Sequence, residues 1–231
     1  PLAKSSRREH HWSAKNAGSY HVVSNACIAC LGPVMSVRLF FRTRPEKTSR
    51  IAVDEGSRTS VALCQILLAK LFDNYPELEV LPIGESIEST TADAVLLIGD
   101  RAIGPTSGGF QTVWDLGDEW HKWTGLPFVF AVWAARPTVN FERLGSRLNA
   151  ARDAGLANLA TIAAIEAAPH GLSVPQCLDY LGDNLHYNLG QYEREGLRLF
   201  HEYAIELGLA PSDGIFDAAF QYSKHSPTGA Q

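Results

Sequence analysis

Residues 115–136 read DLGDEWHKWTGLPFVFAVWAAR and predict a short helix that runs directly into an aromatic strand. Asp115 has a side chain that can cap the start of the helix. Gly125 is typical of a helix end, and Pro127 prevents the helix from continuing. The apolar residues that follow predict a strand leaving the preceding unit. On composition alone, these aromatic residues favour a protein core over the wall of a ligand cleft.

A unit of strands and one helix precedes this stretch. The predicted elements are strands at 20–29, 37–41, 50–55, 78–83 and 93–100 and a helix that begins at Ser57. The strands are continuous apolar runs, and the helix carries apolar residues at helical spacing on one face. This pattern predicts a largely parallel sheet with both faces covered.

The chain after Val139 is mainly helical. Helices are expected at 141–168, 174–181 and 189–207, separated by residues typical of turns. In the last of these helices, Gly196 has no side chain, so another part of the chain is expected to pack closely against it. The central α/β unit is therefore entered by one strand and left by another, which is what a hinged two-lobed binding protein requires.

Size and composition restrict the classes of partner. The chain has 231 residues, a net charge of −5 and no apolar run of the roughly 20 residues that a membrane span needs. Binding to nucleic acid requires a clustered basic face, which this sequence lacks. The beginning of the sequence does not resemble a signal peptide. We therefore expect a cytoplasmic protein that acts on a small molecule, without a nucleic-acid or membrane partner.

The cysteines and histidines do not predict a metal or redox centre. Cys27 and Cys30 form one CxxC pair, but no second pair follows, so we expect buried thiols. The eight histidines do not form HExxH or another spacing typical of metal ligands.

The segment DEGSRTS at 54–60 is the clearest candidate for a binding site. It follows a predicted strand and opens a predicted helix, where free N–H groups and the positive end of the helix dipole meet. Hydroxyls of Ser57, Thr59 and Ser60 and the guanidinium of Arg58 would suit a carboxylate or a phosphate. The alternative is an ordinary serine cap followed by an exposed arginine.

Two further polar residues stand at strand ends. Asp100 ends the strand predicted at 93–100, where open α/β sheets bind ligands, and can be a base, an acceptor or a turn residue, of which the last is favoured. Ser36 lies at the mouth of an entering strand. Because no paired base accompanies it, Ser36 is expected to donate a hydrogen bond rather than act as a nucleophile.

Several segments together resemble one family. In chain order they are SRTSVAL, LLIGD, DLGDEWHKWTGLPFVFAVW and LGQYEREGL, and CIACLGPVMSVRLF is similar to the strand that leads into that family's hinge. Over about residues 20–208 the chain resembles the chorismate dehydratases of the futalosine route of menaquinone biosynthesis. The resemblance implies an α/β, two-lobed fold of the type II periplasmic-binding-protein kind, with hinge strands and a helical C-terminal region. The implied lobes are 1–44 with 134–231, and 45–133.

The resemblance also implies an activity and roles for residues. The activity is loss of water from chorismate to give 3-[(1-carboxyvinyl)oxy]benzoate, without a metal or an organic cofactor. Ser57, Arg58, Thr59 and Ser60 would bind a substrate carboxylate, and Ser36 would orient the substrate near the reacting carbon. The other expected substrate-binding residues are Asp100, Trp120, Thr124, Gly125, Phe128 and Phe130.

One departure from the family pattern lies at the beginning of the chain. Members begin with a strand and a Ser-Tyr-Leu-Asn-like loop, followed by β-α-β elements of the first lobe. Here an aperiodic stretch at 1–19 stands in their place, so an incomplete first lobe is expected. The alternatives are a non-catalytic solute-binding module, an inactive truncated homologue, or the later enzyme of the same route, which would be expected to carry a catalytic histidine.

Overall fold

The computed structural model describes residues 20–104, 109–136 and 138–211, which form two β-sheets and seven α-helices. The predicted aperiodic stretch at 1–19 lies outside these residues. The strands are β1 (His21–Cys30), β2 (Val37–Phe41), β3 (Arg50–Asp54), β4 (Glu77–Leu81), β5 (Ala94–Ile98), β6 (Thr112–Asp115), β7 (Phe128–Ala135) and β8 (His186–Asn188). The helices are α1 (Arg58–Phe72), α2 (Asp100–Ile103), α3 (Leu116–Thr124), α4 (Phe141–Ala157), α5 (Leu159–Glu166), α6 (Val174–Asp179) and α7 (Gln191–Glu206).

The larger sheet has five strands in the order β4-β3-β5-β2-β6. β3 is parallel to both β4 and β5, whereas β2 is antiparallel to both β5 and β6. Among these five strands, only the entering strand β2 therefore runs against the others. The predicted sheet was largely parallel, and the observed sheet is mixed because β2 is inserted between two strands of the opposite direction.

Both faces of this sheet are covered, as predicted. Leu39 and Phe41 of β2 pack with α1 in one core cluster, and Phe40, between them, packs in a second cluster on the opposite face. This alternation follows from the period of two residues along a strand. The face under α1 is the larger core, because five residues of that helix are fully buried: Leu63, Cys64, Ile66, Leu67 and Leu68.

The smaller sheet has three antiparallel strands in the order β7-β1-β8. β1 leads into β2 of the larger sheet, and β7 returns from α3, so the two connections between the sheets lie side by side. Cys30 at the end of β1 pairs with Phe128 at the start of β7. β6 and the short strand β8 were not predicted, because neither has a long apolar run.

The helical region after residue 139 agrees with the prediction, with one break. The helix expected at 141–168 is divided at Asn158 into α4 and α5. α6 continues into a π-helical turn at Tyr180–Asn184, in which the Leu185 N–H donates to the Tyr180 carbonyl oxygen. Within the described ranges, none of the helices is long and apolar enough to cross a membrane.

Candidate active site

The polar residues selected at 36, 57–60 and 100 lie at one edge of the larger sheet. β3 and β5 are parallel neighbours, so their carboxyl ends meet there, and the antiparallel β2 begins at the same edge. The Gly99 N–H donates to the Ser36 carbonyl oxygen at 2.7 Å. Gly56 packs beside the last side chain of β5. The structure thus brings together Ser36, Ser57–Ser60 and Asp100.

Helix α1 presents its N-terminus at this edge. Ser57 is the N-cap, and its hydroxyl accepts a hydrogen bond from the Ser60 N–H at 3.2 Å. The first turn of a helix carries N–H groups without intrahelical acceptors and a positive partial charge. Arg58 is exposed and Thr59 half-buried, whereas Ser60 is buried. Three of the four predicted side chains are therefore accessible to an anion.

A buried ion pair supports the loop that leads into α1. Asp54 is 4% exposed, and its carboxylate lies 2.9 Å from the Arg101 guanidinium. Arg101 also donates to the Glu85 carbonyl oxygen at 2.6 Å, and the Asp54 carboxylate accepts from the Gly56 N–H. Because Arg101 offsets the negative charge of Asp54, this carboxylate does not oppose an anion at the helix end. Asp54 begins the segment selected from the sequence but was given no role there, and Arg101 was not selected.

The loop before Ser36 is held by Asp115. One carboxylate oxygen of Asp115 accepts from the Val34 N–H at 2.9 Å, and the other accepts from the Met35 N–H at 2.7 Å. The same side chain caps α3 through the N–H groups of Gly117 and Asp118, so the predicted cap is confirmed. Met35 has a φ of 62°, which is uncommon for a residue with a side chain. Asp115 thus fixes the backbone that positions Ser36.

Asp100 begins the short helix α2 and faces His170 from the helical region. Its carboxylate lies 3.2 Å from Nδ1 of His170, and Nε2 of the same ring lies 3.5 Å from the Glu166 carboxylate. The Asp100 side chain is 71% exposed. Asp100 therefore remains available to a ligand while also forming a contact between the sheet edge and the residues after α5.

Tyr180 completes the same edge and was not selected from the sequence. Burial raises the pKa of its hydroxyl, the neighbouring Ser36 side chain lowers it, and the negative charge of Asp100 raises it. Tyr180 stands at the end of a predicted helix, where nothing in the local pattern distinguishes it from a core residue. Its role depends on contacts with residues that are far away in the sequence.

The aromatic rings of Trp120 and Phe128 do not line an open cleft. Trp120 is 0% and Phe128 is 1% exposed, and the two rings pack edge to face at a centroid distance of 5.4 Å. Trp120 Nε1 donates to the Pro127 carbonyl oxygen at 3.2 Å, which satisfies the indole. The expectation of cleft walls is corrected here, because both rings belong to the core that composition alone favoured.

The neighbouring residues end the helix and begin the strand. The Thr124 hydroxyl donates to the Trp120 carbonyl oxygen and accepts from the Leu126 N–H. Gly125 is the C-cap, with a φ of 72°. Phe130 is half-buried and packs against Phe128. Thr124 lies about 13 Å along α3 from its capped end, so these residues stand apart from the sheet edge.

A separate apolar cavity of about 310 Å³ lies beside β1, α4 and α5. Trp133 lines it and is 55% exposed, in contrast to the buried Trp120. These two of the three tryptophans in the opening stretch therefore face different surroundings. The cavity is bounded largely by aliphatic side chains, with Arg152 and Tyr187 among its lining residues.

The four cysteines are free and buried, as predicted. Burial raises the pKa of Cys27, Cys30 and Cys64 to about 12, so these thiols are protonated near neutral pH and are poor nucleophiles. In the ranges 20–104, 109–136 and 138–211, no group of three or more His, Cys, Asp or Glu side chains is placed to hold a metal ion.

The fold and the sheet edge define a mixed α/β protein with a candidate anion-binding site at the carboxyl ends of parallel strands. A crystal structure of a protein from Archaeoglobus fulgidus has the same fold, with a TM-score of 0.62 and 22% sequence identity; the match covers 83% of this chain and 74% of that one.

Sequence comparison identifies the family. The model of a family described as "Menaquinone biosynthesis" matches residues 10–206. A chorismate dehydratase from Thermus thermophilus is 36% identical over 214 residues, which is 85% of this chain and 78% of that relative. The chain belongs to the menaquinone biosynthesis family.

Proposed function

We propose that this protein is a lyase that removes water from chorismate to give 3-[(1-carboxyvinyl)oxy]benzoate, in the futalosine route of menaquinone biosynthesis. The observation that carries the proposal is the 36% identity to the chorismate dehydratase of Thermus thermophilus over most of both chains. The family model over residues 10–206 supports the same pathway.

The reaction makes modest demands on the protein. A base takes the proton from the ring carbon that bears the enolpyruvyl ether, a ring double bond forms, and the neighbouring hydroxyl leaves with a proton as water. Because the ring becomes aromatic, the product side is strongly favoured. The protein has to bind the carboxylates, hold the ring in position and limit access of water.

The sheet edge is suited to these tasks. Chorismate carries two carboxylates, and the N-terminus of α1 with Ser57, Arg58 and Thr59 would hold one of them. Ser36, whose backbone is fixed through Asp115, would orient the ring near the reacting carbon. Asp100 stands exposed at the same edge and would accept a hydrogen bond from a substrate hydroxyl.

The two-lobed arrangement is part of the proposal. Residues 45–133 were expected to form one lobe and 1–44 with 134–231 the other; because β2 lies between β5 and β6 of the larger sheet, we place the first boundary between β1 and β2. β1 and β7 would be the hinge strands of a fold like that of type II periplasmic binding proteins. The antiparallel pairing of β1 with β7 supports this role, because both connections between the sheets lie next to this pair. Substrate would then bind where α2 and the sheet edge face the helical region.

A turnover assay tests the proposal. Purified chain is incubated with chorismate, and formation of the aromatic product is followed by ultraviolet absorbance and by mass. We expect a product that is lighter than chorismate by one water. Binding of chorismate without turnover, measured by calorimetry on the folded protein, would instead indicate a solute-binding module. Absence of both turnover and binding would contradict the proposed function.

Replacing Arg58 with alanine should raise the apparent KM for chorismate about tenfold to a hundredfold, because a charge-assisted hydrogen bond to a carboxylate is lost. The thermal unfolding midpoint should stay within about 2 °C, since Arg58 is exposed. Arg198→Ala is the matched control, because Arg198 pairs with Glu202 on the surface of α7. An unchanged KM in Arg58→Ala would remove this residue from the site.

A further inference from the structure

Arg101 joins the loops that follow the three parallel strands β3, β4 and β5. It lies in α2, directly after β5. Its guanidinium donates to the Asp54 carboxylate at the end of β3 at 2.9 Å, and to the Glu85 carbonyl oxygen in the loop after β4 at 2.6 Å. The carboxyl ends of these strands form the edge at which the candidate site lies. Arg101 is therefore held in a fixed position at that edge.

Asp54 places a negative charge beside the loop that leads into α1. Its side chain is 4% exposed, and its carboxylate accepts from the Gly56 N–H at 3.2 Å, one residue before the N-cap Ser57. Glu55 is exposed, so water and salt screen its charge. A charge that is shielded from water acts more strongly on its surroundings. Without a compensating cation, Asp54 would weaken the attraction between the helix end and an anion.

Stability alone explains this ion pair poorly. Burying two charges costs desolvation free energy, and a well-packed apolar pair of similar volume is often at least as stable. The Arg101 side chain is 27% exposed, and its partner lies beside the candidate anion site rather than in the apolar core. The position of the pair is better explained by a role in ligand binding.

We infer that Arg101 is a positioning residue that allows the N-terminus of α1 to hold a substrate carboxylate. It offsets the charge of Asp54 and joins the three loops, without contacting the substrate itself. The inference rests on the proposed function, in which the helix end binds one carboxylate of chorismate. Arg101 would consequently set the affinity for a substrate with two negative charges, and it would affect the chemical step much less.

The variant Arg101→Gln tests this inference, because it removes the positive charge and keeps N–H donors at the same position. We expect the apparent KM for chorismate to rise about tenfold at pH 8.5, where carboxyl groups are ionised, and kcat to stay within about threefold. Adding Asp54→Asn to this variant should return KM to within about threefold of the unaltered chain, because the uncompensated charge is then absent. A purely structural role would not predict that recovery.

The single variant Asp54→Asn gives an independent test, which applies even if Arg101→Gln does not fold. Asparagine keeps the oxygen that accepts from Gly56, and Arg101 then adds an unopposed positive charge near the helix end. The apparent KM should therefore fall about twofold to fivefold. The unfolding midpoint should decrease in the same variant, because a buried ion pair has lost one partner.

Arg42→Gln is the matched control. Arg42 is also half-buried, and it donates to the carbonyl oxygens of Ala92 at 2.7 Å and Ile87 at 2.9 Å. It follows β2 at the opposite edge of the same sheet. Its loss should lower the unfolding midpoint and leave the apparent KM within about twofold.

The outcomes separate the two proposals. If the unaltered chain converts chorismate, an unchanged KM in Arg101→Gln overturns the role of Arg101 and leaves the proposed function intact. The same holds if KM rises equally in Arg42→Gln, stays raised in the double variant, or rises in Asp54→Asn. If the chain binds chorismate without converting it, the dissociation constant replaces KM in each comparison. If it neither binds nor converts chorismate, the proposed function fails and the inference fails with it.

Discussion

Replacing Asp115 with alanine should lower both the stability of the protein and its turnover of chorismate. The carboxylate accepts hydrogen bonds from four backbone N–H groups, two at the start of α3 and two in the loop before Ser36. Loss of the helix cap and of acceptors for the partly buried loop should cost about 2–4 kcal/mol of unfolding free energy. Met35 would no longer be held at its positive φ, so Ser36 would lose its fixed position and kcat/KM should fall at least about tenfold.

The variant Asp115→Asn separates the two functions of this side chain. Oδ1 of Asp115 accepts from three of the N–H groups, and Oδ2 accepts from Met35 alone. Asparagine keeps one oxygen, so it should retain the cap and lose the bond to Met35, with a smaller loss of stability and most of the loss in kcat/KM. Asn140→Ala, which removes the cap of α4, serves as the control and should cost about 1 kcal/mol without changing kcat/KM. A loss of kcat/KM in Asn140→Ala equal to that in Asp115→Asn would contradict the positioning role.

The elements of the central unit could be predicted because their signals are local. β2, β3 and β5 are mainly apolar runs that end at or just before a polar residue or glycine, and Ser57 caps α1 as expected. The direction of β2 could not be predicted. An apolar run specifies a buried strand, but its direction depends on which neighbours it pairs with, and those neighbours lie well apart in the sequence.

The candidate site likewise contains residues that could be predicted from the sequence and residues that could not. Ser57–Ser60, Asp100 and Ser36 could be selected because each lies where a strand ends or a helix begins, and the structure places all of them at one edge. The groups that support them could not be selected. Arg101 reaches Asp54 across 47 residues of sequence, and Asn184 of the helical region reaches the Pro33 carbonyl oxygen in the loop before Ser36.

The aromatic stretch shows a limit of pattern reasoning. Trp120 and Trp133 stand in one short segment, and hydrophobicity gives them the same weight. The structure buries Trp120 completely, where its indole bonds to Pro127, and leaves Trp133 more than half exposed beside an apolar cavity. Whether an aromatic ring is buried depends on which side chains of α7 and α4 pack against it. The sequence of the segment itself does not contain that information.

Replacing Gly196 with alanine should strongly destabilise the protein. A Cβ added to Gly196 would overlap the carbonyl oxygen of Pro127 and lie 3.2 Å from its carbonyl carbon, and both are backbone atoms that cannot rotate away. The expected close neighbour of Gly196 is thus confirmed, and it is the connection between α3 and β7. We expect a loss of about 2–4 kcal/mol of unfolding free energy, measured by urea denaturation.

The loss of unfolding free energy should be larger than steric overlap alone would cause, because the Pro127 carbonyl oxygen is also the acceptor for Nε1 of the buried Trp120. Displacing that oxygen would leave the indole N–H without an acceptor inside the core, and it would shift Phe128 at the start of β7. Gly155→Ala in α4 is the matched control, since its added Cβ would meet no atom within 4 Å and alanine favours a helix interior. Gly155→Ala should therefore be neutral or stabilising by up to about 1 kcal/mol. Equal unfolding free energies for the two variants would contradict this close packing of α7 against Pro127.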